Sequence, residues 1–288
     1  MRITNQMLQQ SALRDLRADL ERLARSQHRA ASGRRIDTMS DDPVDATRIM
    51  GMDSDLRDLE RFRRNAMSAG TRLSAEDVVL TTVRDLIGRA KRLAISAGSL
   101  PPGDPERDMA LAEAQLIRQQ LISLGNTRVG NEYIFGGGQT TAAPFQPDGT
   151  YVGDLTPHRA QINDGVFMDT THPGAPVLTD ALQAIQDLET VLQGGGGTSL
   201  DATLASLDAA GDQALTAQGI VGSRLREIAQ NGEHLDRRSV DLLDSRQALR
   251  EADPAESLLA VASSQAAIER AYAAVGKVLS TSLVDFLR

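Results

Sequence analysis

One feature constrains this chain more than any other. A stripe of mostly apolar residues, spaced alternately three and four apart, runs along both of its ends. The first stripe is Leu13, Leu16, Leu20, Leu23, with Gln27 and Ala30 in phase, and it stops at Ser32-Gly33. The last is Val261, Gln265, Ile268, Tyr272, Val275, Leu279, Ser282 and Phe286. Spacing of this kind predicts amphipathic helices. A seam so narrow cannot be buried by one helix alone, so each stripe needs a partner.

Between the ends, the start and stop signals divide the chain. Asp42-Pro43 places an N-cap carboxylate before a proline at the first helical position. The stripe from Ile49 through Leu56, Leu59, Leu73, Leu80 and Ile87 to Ala97 then predicts one helix of about 55 residues, roughly 80 Å at 1.5 Å per residue. Leu100-Pro101-Pro102-Gly103 ends it, and Asp104-Pro105 starts a third helix. From about Tyr133 to Val177 the pattern breaks into Gly, Pro, Thr and Asp. Short alternating pieces at 150–152, 160–162 and 166–168, separated by Asp-Gly turns, predict a small β insertion. A short helix carrying Leu182, Ile185, Leu188 and Leu192 follows, then a flexible break at Gly194 to Gly197. The longest stripe runs from Leu200 to Leu249, and Asp253-Pro254-Ala255-Glu256 restarts a helix with a capping box.

The expected fold is therefore mainly α: long antiparallel coiled-coil-like helices from both chain halves, with a small central β-rich insertion. The expected segments are 1–40, 41–135, 136–178, 179–252 and 253–288. Gly, Ala, Ser and Gln at several seam positions bring helices close but bury little apolar area, at ~25 cal/mol per Å². The terminal pair is expected to be marginal in a lone chain.

Composition removes several functions. No cysteine occurs among the 288 residues, which excludes a disulfide framework, a thiolate metal site and a cysteine nucleophile. Aromatics are only 3%, too few for stacking platforms that read single-stranded RNA. The net charge of −8 disfavours a phosphate backbone as partner. Arginines cluster near the N-terminus, but residues 1–64 hold 13 basic and 11 acidic side chains, which reads as a solvated face. No apolar run suits a cleaved secretory signal or a membrane span.

No catalytic or cofactor-binding constellation is legible. The histidines, His28, His158, His172 and His234, never fall at i, i+3 or i, i+4 spacing. His28 and His234 read as solvated. Asp41-Asp42 reads as helix capping, and the glycine runs lack the Lys-Ser/Thr of a phosphate loop. An enzyme would need a pocket joining His158, His172 and Asp164 that only the fold could reveal.

Three segments carry a resemblance. Ala31-Ser32-Gly33-Arg34-Arg35-Ile36-Asp37, followed by Ser40-Asp41-Asp42-Pro43, resembles the flagellin-type N-terminal signature. Its family motif residues are Ser32, Gly33, Arg35, Ile36, Asp41, Asp42 and Pro43. In the middle, Gly125-Asn126-Thr127-Arg128-Val129-Gly130-Asn131-Glu132-Tyr133-Ile134-Phe135-Gly136-Gly137, then Thr141-Ala142-Ala143-Pro144-Phe145, resembles the N-T-x-x-G-x-Y-I/L-F-x-G segment of flagellar hook-associated proteins of type 3. The C-terminal Ser264-Gln265-Ala266-Ala267 and Ser282-Leu283-Val284-Asp285-Phe286-Leu287 resemble the matching terminal helix. The chain departs from flagellin itself in lacking any proline after Pro254.

That resemblance implies a structural adaptor between hook and filament, without catalytic site, cofactor or metal. It implies self-association in a ring or helical layer, contact with another hook-associated protein and with flagellin, and an export chaperone. It implies an extracellular place on the bacterial flagellum, reached through type III export without a cleaved signal. The assembly seam would comprise Leu13, Leu16, Leu20, Leu23, Val261, Ile268, Tyr272, Val275, Leu279 and Phe286. The competing expectations are a filament subunit and a cytoplasmic coiled-coil scaffold.

Overall fold

The computed structural model describes residues 5–171, 176–194 and 199–286, with side chains described to Gly276. His172, Gly195 to Gly197 and the side chains of Leu279 and Phe286 lie outside the described residues. Among the described residues there are six helices: α1 (Asn5–Ser32), α2 (Pro43–Ala97), α3 (Pro105–Gly125), α4 (Val177–Leu192), α5 (Leu200–Arg250) and α6 (Pro254–Phe286). Two small antiparallel sheets complete it: β1 (Arg128–Val129) with β2 (Glu132–Tyr133), and β3 (Arg159–Asn163) with β4 (Val166–Asp169). The mainly helical fold with a small β insertion is as the periodicity predicts. The 55-residue length of α2 also agrees.

The chain divides into two compact units. One is Met1–Arg57 with Arg238–Arg288, and the other is Asp58–Arg237. In the first, α1 packs along α6. The pair is antiparallel: an isolated bridge joins Arg34 to Glu251, and Ser26 Oγ lies 3.4 Å from Ser264 Oγ. At the start of α2, Ala46 and Ile49 bury against Ile36 and Leu249.

In the second unit α2 and α5 run antiparallel, since Lys91 pairs with Asp208 at 2.5 Å while Arg84 donates to Gln218 at 2.9 Å. The seam between helices is largely alanine. Ala90, Ala94, Ala97, Ala110, Ala114, Ala210, Ala214 and Ala217 are all 5% exposed or less. Larger residues fill its middle, with Leu73, Leu80, Val83, Ile117, Leu121, Leu207 and Val221 buried. Helix α4 buries Leu178, Ile185 and Leu188 in the same core.

Arg107, 6% exposed, is fixed at one end of this core. Its Nε donates to the Leu192 carbonyl at 2.8 Å, and its guanidinium also reaches the carbonyls of Val191 and Leu100. A cation here satisfies the orphan carbonyls that end α4.

The insertion departs from expectation in one respect. Residues 160–162 and 166–168 fall in β3 and β4, but 150–152 forms no strand, only an isolated bridge between Phe145 and Tyr151. The Asp148-Gly149 turn and the bonds of the Tyr151 hydroxyl to the carbonyls of Phe135 and Asp154 explain this, because they bend the segment onto the knot below.

Candidate functional site

With no pocket chemistry legible in the sequence, the residues carrying the resemblance define the candidate site. They form two backbone junctions, one in each unit.

The first is an elbow after α1. Gly33 ends the helix with φ +65°, a left-handed conformation that glycine adopts without Cβ strain. Ser32 Oγ accepts from the Arg34 N–H at 3.3 Å. The next residues pair with the chain more than two hundred positions away: Arg35 N–H donates to the Arg250 carbonyl at 2.7 Å, and Ala252 N–H donates to the Gly33 carbonyl at 3.0 Å. Arg35 then locks the corner, its guanidinium donating to Asp42 Oδ2 at 3.3 Å, Asp45 Oδ2 at 2.6 Å and the Leu249 carbonyl at 3.1 Å. The bond to Asp45 chiefly, and Asp42 as well, raises its already high pKa. Ile36, 5% exposed, is the apolar plug beneath.

The two adjacent aspartates divide the labour. Asp42 caps α2, accepting from the N–H groups of Val44 and Asp45 at 3.2 Å each, ahead of Pro43 at the first helical position. Asp41 turns back and accepts from the N–H groups of Asp37 and Thr38 at 3.1 and 2.9 Å. These donors hold both carboxyls below the usual carboxylate range: the Thr38 N–H first for Asp41, the Asp45 N–H first for Asp42. Capping is thus the role of Asp42 alone; Asp41, also expected to cap, instead closes the turn between the two helices, because its carboxylate meets the N–H groups behind it. His28 is exposed, as expected, but it also bonds Asp37 at 2.7 Å and lowers that carboxyl's pKa.

The second junction is an aromatic knot where α3 ends. Asn126 behaves like a strand residue through its side chain. Its Nδ2 donates to the Phe145 carbonyl at 2.9 Å, while its Oδ1 accepts the Phe145 N–H at 3.0 Å. Thr127 Oγ1 donates to the Leu124 carbonyl at 2.7 Å. Tyr133, Ile134 and Phe135 are buried, and the Phe145 and Tyr151 rings meet at 5.1 Å. Gly125 is required, because a Cβ there would come within 2.5 Å of the Phe145 ring. Arg107 escaped the sequence reading, and Asn126 entered it only as a letter of the resembling segment, without its role. Their partners are backbone carbonyls and amides, which leave no mark in a sequence.

On α1, the half-buried positions facing α6 are Ala12, Leu16, Asp19, Leu23, Ser26 and Ala30. The expected stripe shares Leu16, Leu23 and Ala30 with this set, whereas Gln27 is exposed and Leu13 and Leu20 are 50% and 42% exposed. On α6, Ile268 is buried and Val261 and Val275 are half-buried, but Tyr272 is 56% exposed. A single partner helix covers one heptad series, and the residues of the other series remain at the surface.

The sequence profile of the bacterial flagellin N-terminal helical region matches residues 3–140, a span holding α1, the elbow, α2, α3 and the start of the knot. This half of the chain is flagellin-like. Two curated relatives carry the name flagellar hook-associated protein 3. The one from Salmonella typhimurium is 28% identical over 179 residues, 62% of this chain and 56% of its own. The one from Escherichia coli is 28% identical over 176 residues, 60% of this chain and 56% of its own. The match thus spans just over half the length of these relatives. Among solved structures, Bacillus cereus FlgL superposes with a TM-score of 0.60 at 23% identity, covering 68% of this chain and 99% of that one. A putative flagellar hook-associated protein from Vibrio parahaemolyticus gives 0.62 at 17% identity, covering 73% and 100%. At such identity the likeness is one of fold. The resemblance to hook-associated proteins of type 3 read from the flagellin-like elbow and the knot is matched by relatives of that name.

Proposed function

We propose that this chain is a structural adaptor of the bacterial flagellum, joining the hook to the flagellin filament. The observation that carries the reading is the 179-residue likeness to a flagellar hook-associated protein 3. The relatives are named flagellar hook-associated proteins, and a place at the hook supports a role without catalysis or cofactor. In this reading residues 1–40 and 253–288 are inner-tube helices, 41–135 and 179–252 are the supporting helical segments, and 136–178 is an outer insertion. The seam residues Leu13, Leu20 and Tyr272, uncovered in the single chain, are then covered by neighbours, together with Leu279 and Phe286. The partners are further copies of the chain, another hook-associated protein, flagellin and, before export without a cleaved signal, a chaperone. Ordering of a marginal helix pair by its neighbours couples folding to assembly.

The match of residues 3–140 to the flagellin profile also favours a filament subunit. Deleting the gene separates the two. The adaptor reading expects cells with hooks, no filaments and flagellin released into the medium. Filaments that persist, or filaments built mainly of this chain, overturn it.

A further inference from the structure

The charge of this chain is not spread evenly along it. From Ala160 to Ser223 stand eight acidic residues and no lysine or arginine. The whole chain holds 39 acids and 31 bases, so outside that stretch it is balanced at 31 of each. The entire net charge of −8 therefore comes from the run that leads from β3 through α4 into the first half of α5, all of it in the unit Asp58–Arg237.

Three of these acids are answered: Asp169 by Arg159 and Arg224, Glu189 by Arg118, and Asp208 by Lys91. Asp212 is not. It is exposed in the body of α5 and has no ion-pair partner among the described residues. The cations that α2 sends to this part of α5 are held elsewhere, Arg84 by Gln218 and Lys91 by Asp208. Arg92, next to Lys91, stands at the level of Asp208, a full turn from Asp212. On α3, Arg107 is held by carbonyls and Arg118 by Glu189. Asp180 accepts from Gln213 Nε2 at 2.7 Å and lies in the first turn of α4, where it offsets the positive end of that helix.

Asp212 stands beside a groove of about 310 Å³ between the start of α4 and α5, whose walls include Val177, Ala217 and Ile220, with Gln213 and Thr216. Ile220 is 38% exposed. Gln213 Oε1 is buried without a hydrogen-bond partner, so the chain's own groups leave this corner incomplete.

We infer that this face docks a basic segment of another protein, one lysine or arginine of which lays its aliphatic stem along Val177, Ala217 and Ile220 and brings its cationic head to Asp212. Such a side chain fits the groove in both parts, an apolar stem for the apolar wall and a charge for the carboxylate. Its head also carries N–H donors, and a turn of the Gln213 amide brings Oε1 to one. The acidic stretch around the groove draws a basic partner from a distance. A second copy offers no net positive charge outside this stretch, so the partner is a different protein. The inference goes beyond the adaptor reading and does not rest on it.

The probe is a fluorescein-labelled helical peptide of leucine, alanine and lysine, titrated with the purified full chain and read by anisotropy. Saturable binding is expected, weakening several-fold as salt rises from about 50 to 200 mM. The same peptide with glutamate for lysine is expected not to bind. Asp212→Asn and Ile220→Gln are each expected to weaken binding at least threefold, and together at least tenfold, with helicity by circular dichroism unchanged. Asp85→Asn, which removes one exposed acid outside the stretch, is the control and is expected to change little. A bulky maleimide on Thr216→Cys, the sole thiol of that variant, is expected to block the groove. No saturable binding, equal binding of the glutamate peptide, losses no greater than in the control, or indifference to the maleimide overturns the inference.

Discussion

The Nη2 of Arg35 donates at once to Asp45 Oδ2, at 2.6 Å, and to the Leu249 carbonyl, at 3.1 Å. One guanidinium nitrogen thus ties the start of α2 to the end of α5. A planar donor fork suits this double duty, and a lysine ammonium on a flexible stem cannot serve all three acceptors of Arg35 in fixed geometry. Arg35→Lys is therefore expected to behave nearly like Arg35→Ala, each loosening the elbow by about 1–2 kcal/mol, discounted for partial exposure. Hydrogen exchange at the Arg35 and Ala252 amides reads this. Unchanged protection in both variants counts against the lock.

Two glycines are expected to respond to alanine with opposite signs. Gly125→Ala drives a methyl group to within 2.5 Å of the Phe145 ring and is expected to cost about 1–3 kcal/mol. Gly219→Ala, inside α5 with nothing within 4 Å, is expected to stabilise by about 0.5–1 kcal/mol. Thermal unfolding of the pair should move the transition in opposite directions.

Arg107→Met keeps the buried stem and removes the charge. It leaves the carbonyls of Leu192, Val191 and Leu100 without this donor, at an expected cost of about 2–4 kcal/mol. The loss should be greatest in the exchange protection of α4. A variant as stable as the parent would show that water replaces the arginine at no cost.

Acid should open the elbow first. Asp37, Asp41 and Asp42 all titrate below the ordinary value of 3.8 in the folded chain. Lowered carboxyl pKa values stabilise the fold fully above that value, and the contribution is lost as pH falls through the lowered ones. Pepsin cleavage between residues 33 and 45 is therefore expected to accelerate steeply below about pH 4. Asp41→Asn, which cannot ionise, should flatten that dependence. Cleavage at a constant rate across the range would contradict the roles of these carboxylates in the turn and cap.

The helices were legible because their signals are local. The Asp42-Pro43 and Asp104-Pro105 starts need only neighbouring residues, and so does the 3/4 stripe of α2. Less of the site could be read. The ligand of Arg35 at Leu249 lies 214 positions away and is a carbonyl. The same holds for Arg107 and Leu192, 85 positions apart. On α1 periodicity identified a stripe but could not say which heptad series meets α6. That choice depends on the register of two helices, and Leu13 and Leu20 fall on the uncovered side while Leu16 and Leu23 are half-buried. The segment 150–152 read as a strand because its alternation is right, but the Tyr151 hydroxyl draws it into the knot.

The alanine seam of the second unit has a kinetic consequence. A buried alanine has no side-chain rotamer to freeze, so helices that meet along Ala90, Ala94, Ala114, Ala210 and Ala214 need only approach and align. The pairing is nonetheless long-range, since Lys91 meets Asp208 across 117 positions and that loop must close before the seam can form. A chain stretched out and released should therefore recover this unit at a pace set by bringing distant helices together, and not by the sorting of interlocking side chains once they meet.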